Sequence, residues 1–182
     1  MKSKTLGTIA FGAVLALASQ STFAASAAEI SRDANAALQK LYASVPAAKA
    51  LGANAQAVLV FPKVTKAGLG VGGQFGEGAL LKGGKTVGYY NTAGASVGLQ
   101  AGAQQFGYAL IFVNAAALAQ LDKADGFEVG VGPTVVVVDE GKAKTLTTTT
   151  AKDDVYAFVF GQKGLMAGLG IQGNKITKIT PK

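Results

Sequence analysis

From residue 67 to residue 76 the chain reads Ala67-Gly68-Leu69-Gly70-Val71-Gly72-Gly73-Gln74-Phe75-Gly76. As a strand with period two, this puts Gly68, Gly70, Gly72 and Gln74 on one face and Leu69, Val71, Gly73 and Phe75 on the other. The pattern returns as Ala167-Gly168-Leu169-Gly170-Ile171, and Gly94, Gly98 and Gly102 repeat at spacing four beside Gln100 and Gln104. Glycine inside a strand packs nothing and weakens it. Strands bare on one face therefore need a reason, and three are open. A helix or second sheet approaches very closely, the strands bend sharply to close a small barrel, or the bare face leaves room for an apolar ligand or acyl chain.

The rest of the chain fits a sheet with helices against it. Ile30, Ala34, Ala37, Leu38, Leu41, Tyr42 and Val45 fall on one helical face. Ser26 and Glu29 have capping-box spacing. Pro46 opens a second short helix, Pro46 to Leu51, and Gly52 suits its end. Val58 to Phe61 reads as a short buried strand ending at Pro62. Thr86 to Tyr90, Ser96 to Ala103 and Gly107 to Val113 continue the strand texture. Asn114 suits the N-cap of a short helix from Ala115 to Leu121. Phe127 to Val131 and Thr134 to Val138 read as strands, and Asp139-Glu140-Gly141 as a turn into a β-prone Thr-rich run, Lys144 to Thr150. Val155 to Phe160, Leu165 to Gln172 and Lys175 to Ile179 complete the set. The expected fold is α+β: a Gly-rich antiparallel β-barrel or sandwich of about nine to eleven short strands, with two N-terminal helices and one short internal helix.

The first residues read as an address. Lys2 and Lys4 precede a short apolar run, Ile9 to Ala18, and small residues follow with cleavage-type tripeptides at Thr22-Phe23-Ala24 and Ala25-Ser26-Ala27. This is the layout of a secretory signal peptide over residues 1–27, cut after Ala24 or Ala27. Residues 28–182 then form a single domain, periplasmic or secreted, including a peripheral place on the outer membrane. The apolar run is too short to span the ~30 Å core of a bilayer as a helix. The 36 uncharged residues between Lys85 and Asp122 are no better a span, because Asn91, Gln100, Gln104, Gln105 and Asn114 interrupt them.

Much chemistry is closed to this chain. It has no Cys and no His, which excludes disulfides, thiol catalysis, Ser-His triads and zinc-thiolate sites. Gly68-x-Gly70-x-x-Gly73 formally matches a dinucleotide fingerprint, but no helix follows, and no acid lies between Glu77 and Asp122. Gly84-Lys85-Thr86 resembles the end of a phosphate-binding loop, yet Ala79 stands where the first glycine belongs. The acids sit mostly at turns and helix ends; only Glu77 and Glu128 lie in strand-like text, and nothing supports a catalytic pair. No enzyme activity and no cofactor are expected.

Charge points to a different partner. The net charge of +7 falls to +5 when Lys2 and Lys4 are removed. The remaining lysines occur as spaced pairs rather than dense runs, and Arg32 is the one arginine. Base readers rely on arginine and dense basic stripes, so no nucleic-acid partner is expected. Anionic phospholipid headgroups fit an exported basic protein better. A small outer-membrane β-barrel or a structural envelope protein is the alternative, weakened by the absence of Trp where membrane barrels carry aromatic girdles.

Several segments, in order, carry a family resemblance: Val60-Phe61-Pro62-Lys63-Val64-Thr65-Lys66-Ala67-Gly68, Gly72-Gly73-Gln74-Phe75-Gly76-Glu77-Gly78, Gly88-Tyr89-Tyr90-Asn91, Ser96 to Gln104, Val131-Gly132-Pro133 and Lys163 to Gly173. The stretch from Ala47 to Ile179 resembles the Ysc84-like, or SYLF, domain, in its bacterial exported branch. The resemblance implies a lipid-binding module. Eukaryotic relatives bind phosphoinositides at membrane–actin sites. Their Trp-Ser-x-Pro-like segment is replaced around Tyr89 to Ala93, and the Glu usual in the closing motif is Gln172. Actin is not expected in an exported compartment. The candidate headgroup-binding residues are Lys63 and Lys66 from the opening motif, then Lys82 and Lys85, then Lys163 and Lys175.

Overall fold

The computed structural model describes residues 25–69, 71–97, 102–161, 164–165 and 170–182. The signal-peptide reading, Lys163 and much of the Leu165–Gln172 strand lie outside the described residues. Helix α1, Ala27–Ser44, starts on a capping box: Ser26 N–H donates to Glu29 Oε2 at 2.9 Å, and Glu29 N–H donates to Ser26 Oγ at 3.3 Å. The backbone N–H of Ser26 holds the exposed Glu29 carboxyl below its ordinary range. Helix α1 buries Ile30, Ala34, Leu38 and Leu41. Helix α2, Pro46–Asn54, has proline in its first turn and buries Ala47, Ala48 and Leu51.

The strands are β1 (Ala57–Leu69), β2 (Val71–Lys82), β3 (Lys85–Val97), β4 (Gly102–Phe112), β5 (Phe127–Glu128), β6 (Val135–Val138), β7 (Val155–Gly161), β8 (Gly164–Leu165) and β9 (Lys175–Ile179). They form one sheet in the order β5-β9-β3-β2-β1-β4-β7-β6, with β8 paired to β7. The expected barrel or sandwich is therefore a single curled sheet, open among the described residues, with β5 and β6 at its edges. It is antiparallel except at one edge, where β6 runs parallel to β7.

The curl is tight. Tyr108 on β4 donates a hydrogen bond of 2.5 Å to Thr92 Oγ1 on β3, although β1 and β2 stand between those strands. A flat sheet would hold them about 14 Å apart, at ~4.8 Å per strand. The rings of Phe112 on β4 and Phe127 on β5 meet at 6.1 Å, with four strands between. The sheet thus has an inside and an outside, each with its own core. Leu59, Phe61, Val64, Leu80, Tyr108, Leu110 and Ile176 fill the inside. Val58, Val60, Ala79, Leu81, Ala109 and Ile111 pack outward against the buried face of α1 and α2.

Several local readings are corrected. Pro62 does not end its strand. β1 runs through it, and the register slips between Val60 and Lys63 against β2 and between Phe61 and Val64 against β4. A bulge suits a residue with no N–H to give the ladder. The run from Lys144 is not a strand: Asp139 caps a second internal helix, α4 (Glu140–Thr145), by accepting from Lys142 N–H at 2.7 Å. Thr147, Thr149 and Thr150 then spend their hydroxyls on one another and on local backbone, as turn residues do. The strand expected over Phe127 to Val131 is two residues long. The helix expected at Asn114 is present as α3, Ala115–Ala119, with Asn114 Oδ1 accepting from Ala117 N–H at 2.7 Å. It runs into a 3₁₀ turn at Gln120–Asp122.

The sheet order makes a firm demand. The ladder joins β3 to β4 only through β1 and β2, so a fragment beginning at Ala93 has no continuous sheet. A 93–180 fragment is expected to lack a cooperative thermal transition by circular dichroism, whereas 25–182 shows one.

Candidate functional site

The glycine face is explained by close approach inside the curl. On a Cβ at Gly76 the nearest atom would be Lys63 O, at 2.7 Å. At Gly78 it would collide with the backbone of Val60 and the ring of Phe61, and at Gly94 with the Asn174 side chain. At Gly107, on the outer face, it would collide with the Phe160 ring. These positions thin the wall so that the sheet can bend over its filling. Of the three explanations the sharp bend is the one these positions fit, in a sheet that curls without closing; what crowds them is neighbouring strands and the Asn174 and Phe160 side chains, not a helix or second sheet.

A polar chain ties the inside together. Gln74 Nε2 on β2 donates to Asn174 Oδ1 at 2.5 Å and to the carbonyl of Gly170. Asn174 Nδ2 donates to Thr92 Oγ1 at 3.3 Å, and Thr92 also receives the Tyr108 hydroxyl. Gln74, Thr92 and Asn174 are the buried polar residues among those described. Burial pushes the Tyr108 hydroxyl well above its ordinary range, against the hydrogen bonds to Thr92 and Asn174. The chain therefore stays uncharged through the physiological range and works as a structural tether.

The exposed chemistry lies at one end of the sheet. β1 and β2 stay paired out to Leu69 and Val71, which are 79% and 70% exposed. Phe75 on the same face is 51% exposed. Around it Ala67, Gly73, Ala93, Ala95 and Ala103 are exposed and lie side by side, through the pairs Ala67–Ala103, Ala67–Gly73, Gly73–Ala95 and Phe75–Ala93. The helices cover the other end of this outer face. What remains, among the described residues, is an uncharged sheet end four strands wide, apolar but for Thr65 and Gln105.

The predicted lysines do not form one cluster. Lys63 and Lys66 fall on opposite faces of β1. Lys63 pairs with Glu77 and looks outward, beside α1. Lys66 pairs with the buried Gln74 and looks inward, toward Gly170. At ~3.4 Å per residue, Lys66 stands about 10 Å behind the Leu69–Val71 end and Lys63 about 20 Å. Lys175 on β9 pairs with Ala93, in the row of Phe75, and lies about 14 Å behind that end. Lys82 and Lys85 close the β2–β3 turn, about 37 Å away at the far end of the same strands. The residues missed by sequence reading are the apolar ones. Leu69, Val71 and Phe75 were legible as one face of an alternating strand, but their exposure was not, because it depends on where the helices stop.

Among the described residues no group of acids is arranged to hold a metal ion, and no helix is long and apolar enough to cross a membrane.

Residues 93–180 match the Ysc84 model, described as Las17-binding protein actin regulator. That segment, just under half of the chain, is similar to Ysc84/SYLF family domains. Ysc84/SYLF domains are non-catalytic modules, so the expectation of no enzyme activity stands on this match. The matched segment starts inside β3, and β1 and β2 complete its sheet from outside the match. No curated protein matches the chain.

The contact distances separate two kinds of glycine. Gly78→Ala is expected to cost about 1–3 kcal/mol through overpacking, read as a lower denaturant midpoint. Gly73→Ala, where the nearest atom to an added Cβ is Gly94 O at 3.8 Å, is expected to leave the midpoint unchanged or raise it.

Proposed function

We propose that this chain is an exported, non-catalytic protein that binds anionic phospholipid at a membrane surface through the β1–β2 end of its sheet. The observation that carries this reading is the exposed Leu69–Val71 pair with Lys66 and Lys175 a short distance behind it. A surface-bound element buries its apolar face ~5–10 Å into the headgroup and acyl boundary. With Leu69 and Val71 at that depth, Lys66 and Lys175 lie at the headgroup level. Lys82 and Lys85 remain in water, and Lys63 stands above the phosphates.

Magnitudes decide which part leads. Fully burying a Leu or Val side chain is worth about 1.5–3 kcal/mol, and Leu69 and Val71 have most of that still to gain. A lysine near an anionic surface contributes about 1 kcal/mol. The apolar end supplies the larger share, and the lysines supply the preference for negative lipid. The cover of α1 and α2 over the outer face favours a peripheral protein over a membrane barrel, whose outer wall must meet lipid. The family description names Las17 and actin; export would keep this chain away from actin, so only the lipid part of the resemblance is taken up.

Vesicle flotation tests the reading. Binding is expected to phosphatidylcholine vesicles containing phosphatidylglycerol, with weaker binding to phosphatidylcholine alone. The double variant Leu69→Ser/Val71→Ser is expected to lose about tenfold or more in affinity, and Lys82→Met/Lys85→Met little. Equal binding by both variants, or none by the parent chain, would remove the proposal.

A further inference from the structure

One buried acceptor inside the curl is left over. Gln74 is 4% exposed, and its Nε2 serves both Gly170 O and Asn174 Oδ1. A carbonyl only accepts, so the amide nitrogen must face Gly170 and Oε1 must face away. Among the described residues Oε1 is buried with no hydrogen-bond partner. Native proteins seldom leave such an atom bare, because its lost bond to water is not replaced. Lys66, the cross-strand neighbour of Gln74, brings a second group to the same place. A Cβ built on Gly170 would lie 3.9 Å from Gln74 Oε1 and 4.0 Å from Lys66 Nζ; its chain neighbours aside, no other atom of the described residues comes within 4 Å. An amide oxygen and an ammonium thus border one open spot. Gly170 has a φ of 111°, where a side chain is strained, so the spot stays open.

The surroundings limit what fits there. Every Asp and Glu of the chain is among the described residues, and none lies within ion-pair distance of Lys66. The strand acids Glu77 and Glu128 pair with Lys63 and Lys175 on the outer face. On the inner face the next pair toward the open end is Gly68 and Gly72, which carry no side chains to block the approach. An unopposed ammonium takes an anion, and the amide oxygen takes a donor beside it. A cationic donor is disfavoured next to Lys66 by like-charge repulsion, which leaves a hydroxyl. We infer that the spot binds a phosphate bearing a hydroxylated substituent, as in glycerol phosphate: Lys66 Nζ donates to the phosphate, and Gln74 Oε1 accepts from the hydroxyl. That the anion is a phosphate rests on the lipid reading above, in which Lys66 lies at the headgroup level. A phosphatidylglycerol headgroup and free glycerol phosphate carry this same chemistry.

The test uses the full chain and two soluble probes of equal charge, glycerol 3-phosphate and methyl phosphate, titrated by NMR. Glycerol 3-phosphate is expected to bind about fivefold more tightly. It is also expected to shift the Gln74 side-chain amide resonances, which methyl phosphate leaves in place. Lys66 is part-exposed, so Lys66→Met is expected to keep the parent's thermal unfolding while weakening both probes about tenfold. Equal affinity for the two phosphates, an unmoved Gln74 amide, undiminished binding by Lys66→Met, or no binding of either probe would overturn the site. Vesicle flotation then separates the two sources. Phosphatidylcholine vesicles containing phosphatidylglycerol are compared with vesicles containing phosphatidylmethanol, which has the same charge and no headgroup hydroxyl. A preference for phosphatidylglycerol assigns the site to the lipid headgroup. Equal flotation on both, with the soluble preference intact, assigns it to free glycerol phosphate. Flotation on neither removes the sheet-end reading, and the soluble titration still decides the site.

Discussion

The hydrogen bond from Tyr108 to Thr92, across two intervening strands, is the constraint that shapes the rest of the molecule. It can form only if β3 and β4 curl toward one another, and they can curl only if the wall between them is thin. Gly76 and Gly78 provide that thinness on β2, and Gly94 does so where Asn174 comes in beneath β3. Strand glycines weaken a sheet taken alone. Here they trade strand packing for a filled interior, in which Phe61, Tyr108, Leu110 and Phe112 are wholly buried. The polar chain through Gln74, Asn174 and Thr92 then fixes how far the curl goes.

The exposed end follows from the same geometry. The inner core and the helices occupy one end of the long strands. β1 and β2 continue beyond them, and there the alternation that serves packing elsewhere leaves Leu69, Val71 and Phe75 facing solvent.

Parts of this were legible in the sequence. The stripe from Ile30 to Val45 announced α1, Asn114 announced α3, and alternating glycines announced strands whose faces could be assigned residue by residue. Period two alone also separates Lys63 from Lys66, three positions apart. Other parts were not legible, because they depend on distant partners. Pro62 looks like a stop until a bulge absorbs its missing donor. Asp139 looks like a turn residue until Lys142 caps onto it. The pairs β9–β3 and β1–β4 join segments that no local pattern links. Exposure at Leu69 is a property of where α1 lies on the sheet, and a linear pattern does not contain it.

The account stands on which end of the sheet meets lipid. The chain has no cysteine, so single Val71→Cys and Gly83→Cys variants can each carry one spin label. Gly83 is a turn position where an added side chain meets nothing, at a left-handed φ of 57° that costs an L-residue about 1–2 kcal/mol. Accessibility to oxygen and to a water-soluble nickel complex on anionic vesicles then reads the depth of each label. The label at 71 is predicted to enter the acyl boundary while the label at 83 stays in water. A label at 83 that enters the bilayer, or a label at 71 that remains in water on bound protein, would contradict the account.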